Sequence, residues 1–141
     1  MKENKIKFVS PDFLFNIIQN ENSSFSEFGT KRKFVILDSR DSSIFYDIGH
    51  IVYSICYEDQ DDLDDVCKGR KIYIYGDKEK SLKIYSQLSN QFQDVFFLDE
   101  GIEAFQTLYP YLVISRKTSR EDYDISKKML ANGKKKKKNK D

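Results

Sequence analysis

Apolar residues occur along this chain as short continuous runs that alternate with stretches of helical periodicity. The runs at 34–37 (FVIL), 72–75 (IYIY) and 95–98 (VFFL) are apolar throughout, which is typical of strands buried on both faces of a sheet. Residues 13–18 and 82–92 instead carry apolar side chains mostly three and four positions apart, which indicates helices. This alternation predicts an α/β fold with a mainly parallel five-stranded sheet flanked by helices.

Several residues mark the predicted elements and the predicted core. Ser10 followed by Pro11 predicts a helix whose N-cap is Ser10. Residues 51–57 are typical of a further strand or an extended segment, and residues 102–108 of a short helix. The side chains expected in the core of the sheet are Leu37, Ile72, Ile74, Val95, Phe97 and Leu98, and those expected on the buried helix faces include Phe13, Leu14, Ile17, Ile18, Leu82, Ile84, Tyr85 and Leu88.

Composition narrows the class of protein. The chain has 141 residues, of which 39% are hydrophobic and 33% charged, and its formal net charge is only +1, which is typical of a globular domain without general attraction to nucleic acid. No apolar run approaches the roughly 18 residues that span a bilayer, and no secretory signal is recognised at the N-terminus. We therefore expect a monomer of the cytoplasm or nucleus, with no membrane contact and no specific nucleic-acid partner.

Cysteine and histidine are too few for the usual metal sites. Cys56 and Cys67 form no Cys-x-x-Cys pair, and His50 is the only histidine. We expect no metal and no cofactor, and we expect both cysteines to be free thiols in a reducing compartment.

Charge is distributed unevenly along the chain. Acidic residues are concentrated at 58–65, and five consecutive lysines occupy 134–138. Apolar residues thin out after residue 114, so the sequence predicts a folded domain over 1–114 and a polar, Lys-rich tail or linker over 115–141. The lysines also allow a salt-sensitive association with nucleic acid or a membrane surface, or a nuclear address, and the sequence does not choose among these.

The stretch 35–55 (VILDSRDSSIFYDIGHIVYSI) resembles the rhodanese family of domains. The family pattern is a buried strand that ends in Asp-x-Arg, an aromatic residue, then Gly-His-Ile and a small residue before the next strand. Farther along, LDEGIEAF matches the family's strand, glycine turn and short helix. The likeness extends roughly from Phe8 to Leu112 and implies a rhodanese-like three-layer fold. The residues to which it gives a structural role are Asp38, Arg40, Gly49, His50, Gly101 and Phe105.

The chain departs from this family pattern at three places. Val52 and Tyr53 stand where the family usually has Pro-Gly, and Glu100 stands where it has the first glycine of a Gly-Gly pair. In active members the strand equivalent to 72–75 is followed by Cys-x-x-Gly-x-Arg-Ser, whose backbone N–H groups stabilise a thiolate and a persulfide. Here Gly76 occupies the cysteine position, and the loop is one residue shorter. The degenerate loop consists of Gly76, Asp77, Lys78, Glu79, Lys80 and Ser81.

The loss of this cysteine implies a domain that is not an enzyme, because neither a persulfide nor the phosphocysteine of Cdc25-type relatives forms without a thiol. The alternative is a sulfurtransferase or phosphatase that uses a displaced nucleophile. Cys56 and Cys67 are the candidates, although the acidic residues near Cys67 are expected to raise its pKa. Ser81 has no histidine nearby in the sequence to activate it, and His50 is expected to fix a turn.

Inactive modules of this kind resemble the N-terminal domains of MAP-kinase phosphatases and of the serine/threonine/tyrosine-interacting-like pseudophosphatase. The motif His-Cys-x-x-Gly-x-x-Arg of a following phosphatase domain is absent from the 141 residues. MAP-kinase phosphatases dock acidic kinase grooves through basic residues after Gly-His-Ile, whereas the corresponding residues here are acidic. The resemblance implies a non-catalytic interaction or regulatory module in phosphatase or kinase signalling, with an unidentified protein partner. The candidates for partner contact are the acidic residues Glu58, Asp59, Asp61, Asp62, Asp64 and Asp65 and the basic residues Lys31, Arg32 and Lys33.

Overall fold

The structure, a computed structural model, describes residues 6–23 and 32–138, and it describes side chains for 6–20 and 32–130. Its helices and strands are, in chain order, β1 (Phe8–Val9), α1 (Pro11–Ser23), β2 (Phe34–Asp38), β3 (His50–Ile51), β4 (Ser54–Cys56), α2 (Leu63–Cys67), β5 (Lys71–Tyr75), α3 (Lys78–Ser89), β6 (Val95–Leu98), α4 (Gly101–Leu108), β7 (Val113–Ile114) and α5 (Arg120–Lys138). A π-helical turn, Ile44–Ile48, precedes β3. No helix in these ranges is long and apolar enough to cross a bilayer.

Five strands form one sheet in the order β1-β6-β5-β2-β4, and every neighbouring pair in it is parallel. β3 and β7 form a separate antiparallel pair. At the centre of the sheet, Leu37 of β2 is paired with Ile74 of β5, and Asp38 with Tyr75. The predicted α/β class and the predicted five-stranded parallel sheet are confirmed.

Different helices cover the two faces of the sheet. Alternate residues of a strand point to opposite faces, so Ile36 and Tyr73 pack with residues of α1, α4 and α5. Leu37 and Ile74 pack instead with residues of α2 and α3. The result is the three-layer arrangement that the resemblance implies. All six residues predicted for the core of the sheet are buried.

Three local features differ from the simplest interpretation of the pattern. Phe13 and Leu82 are 46% and 38% exposed, because each lies at the edge of its helix's apolar stripe and not at its centre. Residues 51–57 are not one strand, because the chain turns at Val52 and Tyr53 and the two halves join different sheets. Tyr53 has φ of +71°, a conformation that ends strand pairing. The N-cap prediction for α1 is confirmed, since the Ser10 hydroxyl accepts the N–H of Phe13 at 3.1 Å.

Part of the predicted tail packs on the domain. α5 lies against α1, and its Leu130 is 3% exposed within the same core cluster as Leu14 and Phe105. The hydroxyl of Ser126 donates to the backbone carbonyl of Tyr111, which ties α5 to the segment before β7. The structure does not describe the side chains of the lysine run 134–138.

Candidate functional site

The degenerate loop lies at the carboxyl edge of the parallel sheet, where ligands of open α/β sheets usually bind. Because β2 and β5 are parallel neighbours, the residues that follow them lie side by side. The N–H of Ser39, directly after β2, donates to the carbonyl of Tyr75 at 2.9 Å. Ser39 and Arg40 therefore face Gly76, which the resemblance places at the catalytic cysteine of active rhodaneses.

No side chain fits at position 76 as the loop is built. Gly76 has φ of +124°, which L-residues rarely adopt. A Cβ placed there would lie 2.6 Å from Ser39 Oγ, 2.9 Å from the backbone nitrogen of Ser39 and 3.1 Å from Arg40 Cγ. Because one of these atoms belongs to the backbone, a larger residue requires the loop or the end of β2 to move.

Ser39 Oγ is the centre to which the loop's polar groups converge. It accepts the N–H of Asp77 at 2.8 Å and lies 2.8 Å from Ser81 Oγ. It also lies 3.2 Å from the carbonyl oxygen of Asp77. Ser39 and Ser81 are each 2% exposed, so this small network is closed to solvent. Sequence reasoning missed Ser39, although its position inside Asp-x-Arg, at the end of the strand beside β5, is the signal that points to it.

The helix terminus beyond the loop is capped by the chain itself. The Asp77 carboxylate accepts the N–H of Lys80 at 2.9 Å, which makes Asp77 the N-cap of α3. Lys80 stands for the family's arginine, but its Nζ pairs with Asp41 at 2.9 Å on the surface. That hydrogen bond raises the pKa of Lys80. The positive end of α3 thus already holds a carboxylate where active members hold an anion.

The residues retained from the family pattern form a second cluster beside the loop. The Asp38 carboxylate, which is fully buried, pairs with Arg40 through Nη2 at 2.6 Å and Nε at 2.9 Å. Arg40 Nη2 also donates to the carbonyl of Gly49 at 2.6 Å. Burial acts to lower the pKa of Arg40, but the hydrogen bond and charge of Asp38 raise it above its ordinary value. The pair ties the end of β2 to the turn before β3.

His50, the first residue of β3, directly follows that turn. Its Nδ1 is 2.8 Å from the carbonyl oxygen of Phe45, and its ring stacks on the Phe45 ring with the centroids 3.8 Å apart. Burial lowers the pKa of His50, which favours the neutral imidazole. In this geometry the ring holds the turn in place.

The glycine turn after β6 adopts left-handed backbone at two successive residues. Gly101 has φ of +70° and Glu100 has φ of +63°. Glu100, which replaces the first glycine of the family pattern, therefore carries a side chain on left-handed backbone. Phe105, at the family's aromatic position, is fully buried and packs against Tyr109.

A cleft of about 840 Å³ opens between the degenerate loop, β1 and the start of α4. Its apolar walls include Phe8, Leu82 and Ile102, and its charged rim includes Lys78 and Glu103. Among the described residues, the lining is Ile6, Phe8, Arg40, Tyr75, Gly76, Lys78, Ser81, Leu82, Phe97, Leu98, Asp99, Glu100, Gly101, Ile102 and Glu103. Gly76 and Ser81 thus line the cleft, and the acidic residues 58–65 do not.

Both cysteines are buried free thiols, and neither lines the cleft. Cys67 is fully buried, and burial, with a smaller contribution from Asp64, raises its pKa to about 11. Burial also raises the pKa of Cys56. The pKa of Cys67 shifts in the expected direction, but the main cause is burial and not its acidic neighbours. Within the described residues, no three His, Cys, Asp or Glu side chains are grouped so as to hold a metal ion.

Some of the acidic residues at 58–65 make local hydrogen bonds, and the others are exposed to solvent. Glu58 accepts the N–H of Ser42 at 2.8 Å, and Asp59 accepts the Tyr46 hydroxyl at 2.9 Å. Asp62 is the N-cap of α2, since its carboxylate accepts the N–H of Asp65 at 3.2 Å. Asp61, Asp64 and Asp65 are exposed.

Two of the three basic candidates lie in the described part of the chain, and Lys31 lies outside it. The Arg32 guanidinium stacks over the Tyr53 ring with its carbon 3.8 Å from the centroid. Lys33 is exposed just before β2, beside Arg70 and Lys71.

This chain is similar to known proteins in both sequence and structure. The sequence pattern of the rhodanese-like domain matches residues 23–108, which is more than half of the chain. The crystal structure of the Alr3790 protein from Anabaena sp. is 28% identical, with a TM-score of 0.57, over 82% of this chain and 99% of that chain. The X-ray structure of the rhodanese-like domain of the same protein is 33% identical, with a TM-score of 0.44, over 61% of this chain and 85% of that one. Among curated proteins, none matches this chain.

Proposed function

This chain belongs to the rhodanese-like domain family, and from that premise we propose that it is a non-catalytic member that acts as a binding or regulatory module. The observation that carries the proposal is the close approach of Ser39 to Gly76, whose absent Cβ would lie 2.6 Å from Ser39 Oγ. The space for the family's cysteine side chain is filled by another part of the chain. A role in phosphatase or kinase signalling, as in the modules that the sequence resembles, is part of the same proposal.

Two further features support a loss of catalysis. The positive end of α3 is neutralised by Asp77, so a persulfide or phosphate would have to displace a carboxylate that is already hydrogen-bonded there. The two thiols that might replace the missing one are buried with raised pKa values, so each is almost entirely protonated at neutral pH.

The proposal is tested by assaying the purified chain for thiosulfate:cyanide sulfurtransferase activity and for hydrolysis of p-nitrophenyl phosphate. We expect no turnover above that of a heat-denatured sample, with an active rhodanese as the positive control. Turnover that disappears in Cys56→Ser or in Cys67→Ser would establish a displaced nucleophile and end the proposal.

Restoring the cysteine sharpens the test. We expect Gly76→Cys to remain inactive and to be less stable than the parent chain, because the new Cβ meets Ser39 and the φ of position 76 is unfavourable for cysteine. Adding Ser39→Gly removes the hydroxyl contact but leaves the backbone nitrogen 2.9 Å away, so the double variant is expected to regain part of the stability and no activity. Robust sulfurtransferase activity of Gly76→Cys alone would show that the loop is still built for catalysis.

A further inference from the structure

We propose that the cleft above the degenerate loop binds a segment of a partner protein in which one or two large apolar side chains lie next to lysine or arginine. This inference rests on the proposed function, since it names the partner chemistry for the same non-catalytic module. The cleft exposes apolar and acidic side chains, whereas N–H groups of the loop beside it are already hydrogen-bonded.

Several large apolar side chains of the cleft are exposed to solvent, and this exposure does not stabilise the folded monomer. Ile6, Phe8 and Leu82 are 39%, 58% and 38% exposed, and all three line this one cleft. Phe8 lies in β1, Ile6 lies just before it, and Leu82 lies in α3, so the fold brings together residues that are far apart in the sequence. Clustered exposed apolar groups in a concave surface of this size are typical of a binding site.

The exposed ring of Phe8 is held in position. It stacks on Phe97 with the centroids 5.8 Å apart, and Phe97 stacks in turn on Tyr85 at 5.2 Å. Phe97 and Tyr85 are both buried, so the ring rests on the core of the sheet. A surface aromatic that is already ordered costs little further entropy when a partner covers it.

Most of the charged side chains that line the cleft without an ion-pair partner among the described residues are carboxylates. Asp99, Glu100 and Glu103 are exposed along the wall formed by the end of β6 and the start of α4, and these carboxylates make no ion pair with the described residues. Of the two cations in the lining, Arg40 is already paired with Asp38. Among the described lining residues, Lys78 is then the one cation left to oppose the three carboxylates, so the wall favours a basic partner.

The loop beside the cleft argues against a small anion as the occupant. Its N–H groups at Asp77 and Lys80 are already bonded to Ser39 Oγ and to the Asp77 carboxylate. An anion would therefore meet carboxylates on the wall and a loop in which these two N–H groups are already bonded. An apolar side chain that lies on Phe8 and Leu82, with a cation beside it directed at Glu103, fits the same surface without displacing any contact.

The test uses a phage-displayed random peptide library selected against the immobilised full-length chain. We expect the enriched peptides to combine aromatic or branched aliphatic residues with lysine or arginine. An enriched peptide, synthesised with a fluorophore, is then titrated by fluorescence anisotropy against the parent chain and matched variants.

Leu82→Asp is compared with Leu108→Asp, because Leu108 is also an exposed helical leucine, at 54%, but does not line the cleft. Glu103→Lys is compared with Glu121→Lys, since both glutamates lie in the first turn of a helix. We expect about tenfold weaker binding for each cleft variant and less than a twofold change for each control. Thermal melts of all four variants verify that they are folded, and Leu82→Ser replaces Leu82→Asp if the latter does not fold.

Several results would overturn the inference. They are the absence of any enriched peptide, enrichment of acidic peptides, and equal losses in the cleft variants and their controls. Loss of binding only when Asp61, Asp62, Asp64 and Asp65 are changed to Asn would place the binding surface on the acidic residues 58–65. Concentration-dependent self-association that Leu82→Asp abolishes would show that the cleft binds a second copy of this chain. A chain with neither sulfurtransferase activity nor peptide binding would leave the proposed function standing and remove this inference alone.

Discussion

Two segments leave neighbouring strands at the same edge of the sheet, and they have kept different parts of the family pattern. At the end of β2, Asp38 and Arg40 retain the family residues, and Arg40 binds to the turn at Gly49. After β5, Gly76 stands where the resemblance places a cysteine, and the N–H groups of the loop are bound by Ser39 from the end of β2 and by Asp77 of the loop itself. The difference is that the retained residues form a buried ion pair, whereas position 76 carries no side chain and Ser39 lies close to it.

The largest effect is expected from breaking the ion pair of the retained segment. Arg40→Ala leaves the fully buried Asp38 carboxylate without its cation, and we expect a loss of about 3–5 kcal/mol in the free energy of unfolding. Urea denaturation followed by circular dichroism measures this. Arg116→Ala is the control, because Arg116 pairs with Asp47 at 3.0 Å on the surface and should cost at most about 1 kcal/mol. Similar losses in the two variants would show that Asp38 is not held by Arg40.

Changes in the loop after β5 are expected to lower the free energy of unfolding less, because its hydrogen-bond network is small and its central group, the Ser39 hydroxyl, is uncharged. Ser39→Ala removes the acceptor of the Asp77 N–H and the partner of the Ser81 hydroxyl, and we expect a loss of about 1–3 kcal/mol. The same denaturation experiment measures it, with Ser89→Ala as a control at a partly exposed helix position. A loss for Ser39→Ala no larger than that of the control would mean that water replaces the hydroxyl and that the network does not organise the loop.

A smaller effect of opposite sign is expected at the turn after β6. Glu100 has left-handed backbone, which disfavours any residue with a Cβ, so Glu100→Gly should stabilise the fold by about 0.5–1 kcal/mol. Glu103→Gly is the matched change inside α4, where glycine is unfavourable, and it should destabilise by about 1 kcal/mol. The two melting temperatures should therefore move in opposite directions, and a shift of both downward would contradict the assigned conformation.

The smallest effect is expected from the pH dependence of His50. Because burial lowers its pKa in the folded state, the unfolded chain binds the proton more readily. The stabilisation is complete above the ordinary histidine pKa of about 6.5 and is lost as the pH falls from there through the lowered folded pKa. Stability measured by urea denaturation across this window should fall less steeply for His50→Gln than for the parent chain. Equal slopes would show that His50 does not titrate differently in the two states.

The sequence alone is sufficient for the architecture. Runs such as 34–37 and 72–75 are apolar at every position, and only a strand covered on both faces buries all of them, so the parallel sheet and its two helical layers follow from the pattern. The absence of a cysteine at position 76 is also evident from the sequence, because the residue there is glycine, which has no thiol. The ion pair between Asp38 and Arg40 could also be expected, since the two residues are adjacent in the Asp-x-Arg motif and lie at the end of a buried strand.

Only the tertiary structure decides what surrounds Gly76. Ser39 and Gly76 are separated by 37 residues, and their contact exists because β2 and β5 are parallel neighbours that end at the same level. The cleft depends in the same way on β1 being the outer strand, which brings Phe8 beside Leu82 of α3. Periodicity along the chain reports which face of an element is apolar, but it carries no information about which two distant elements meet. Those contacts are set by the order of strands in the sheet, and with them the shape and charge of the surface that a partner would meet.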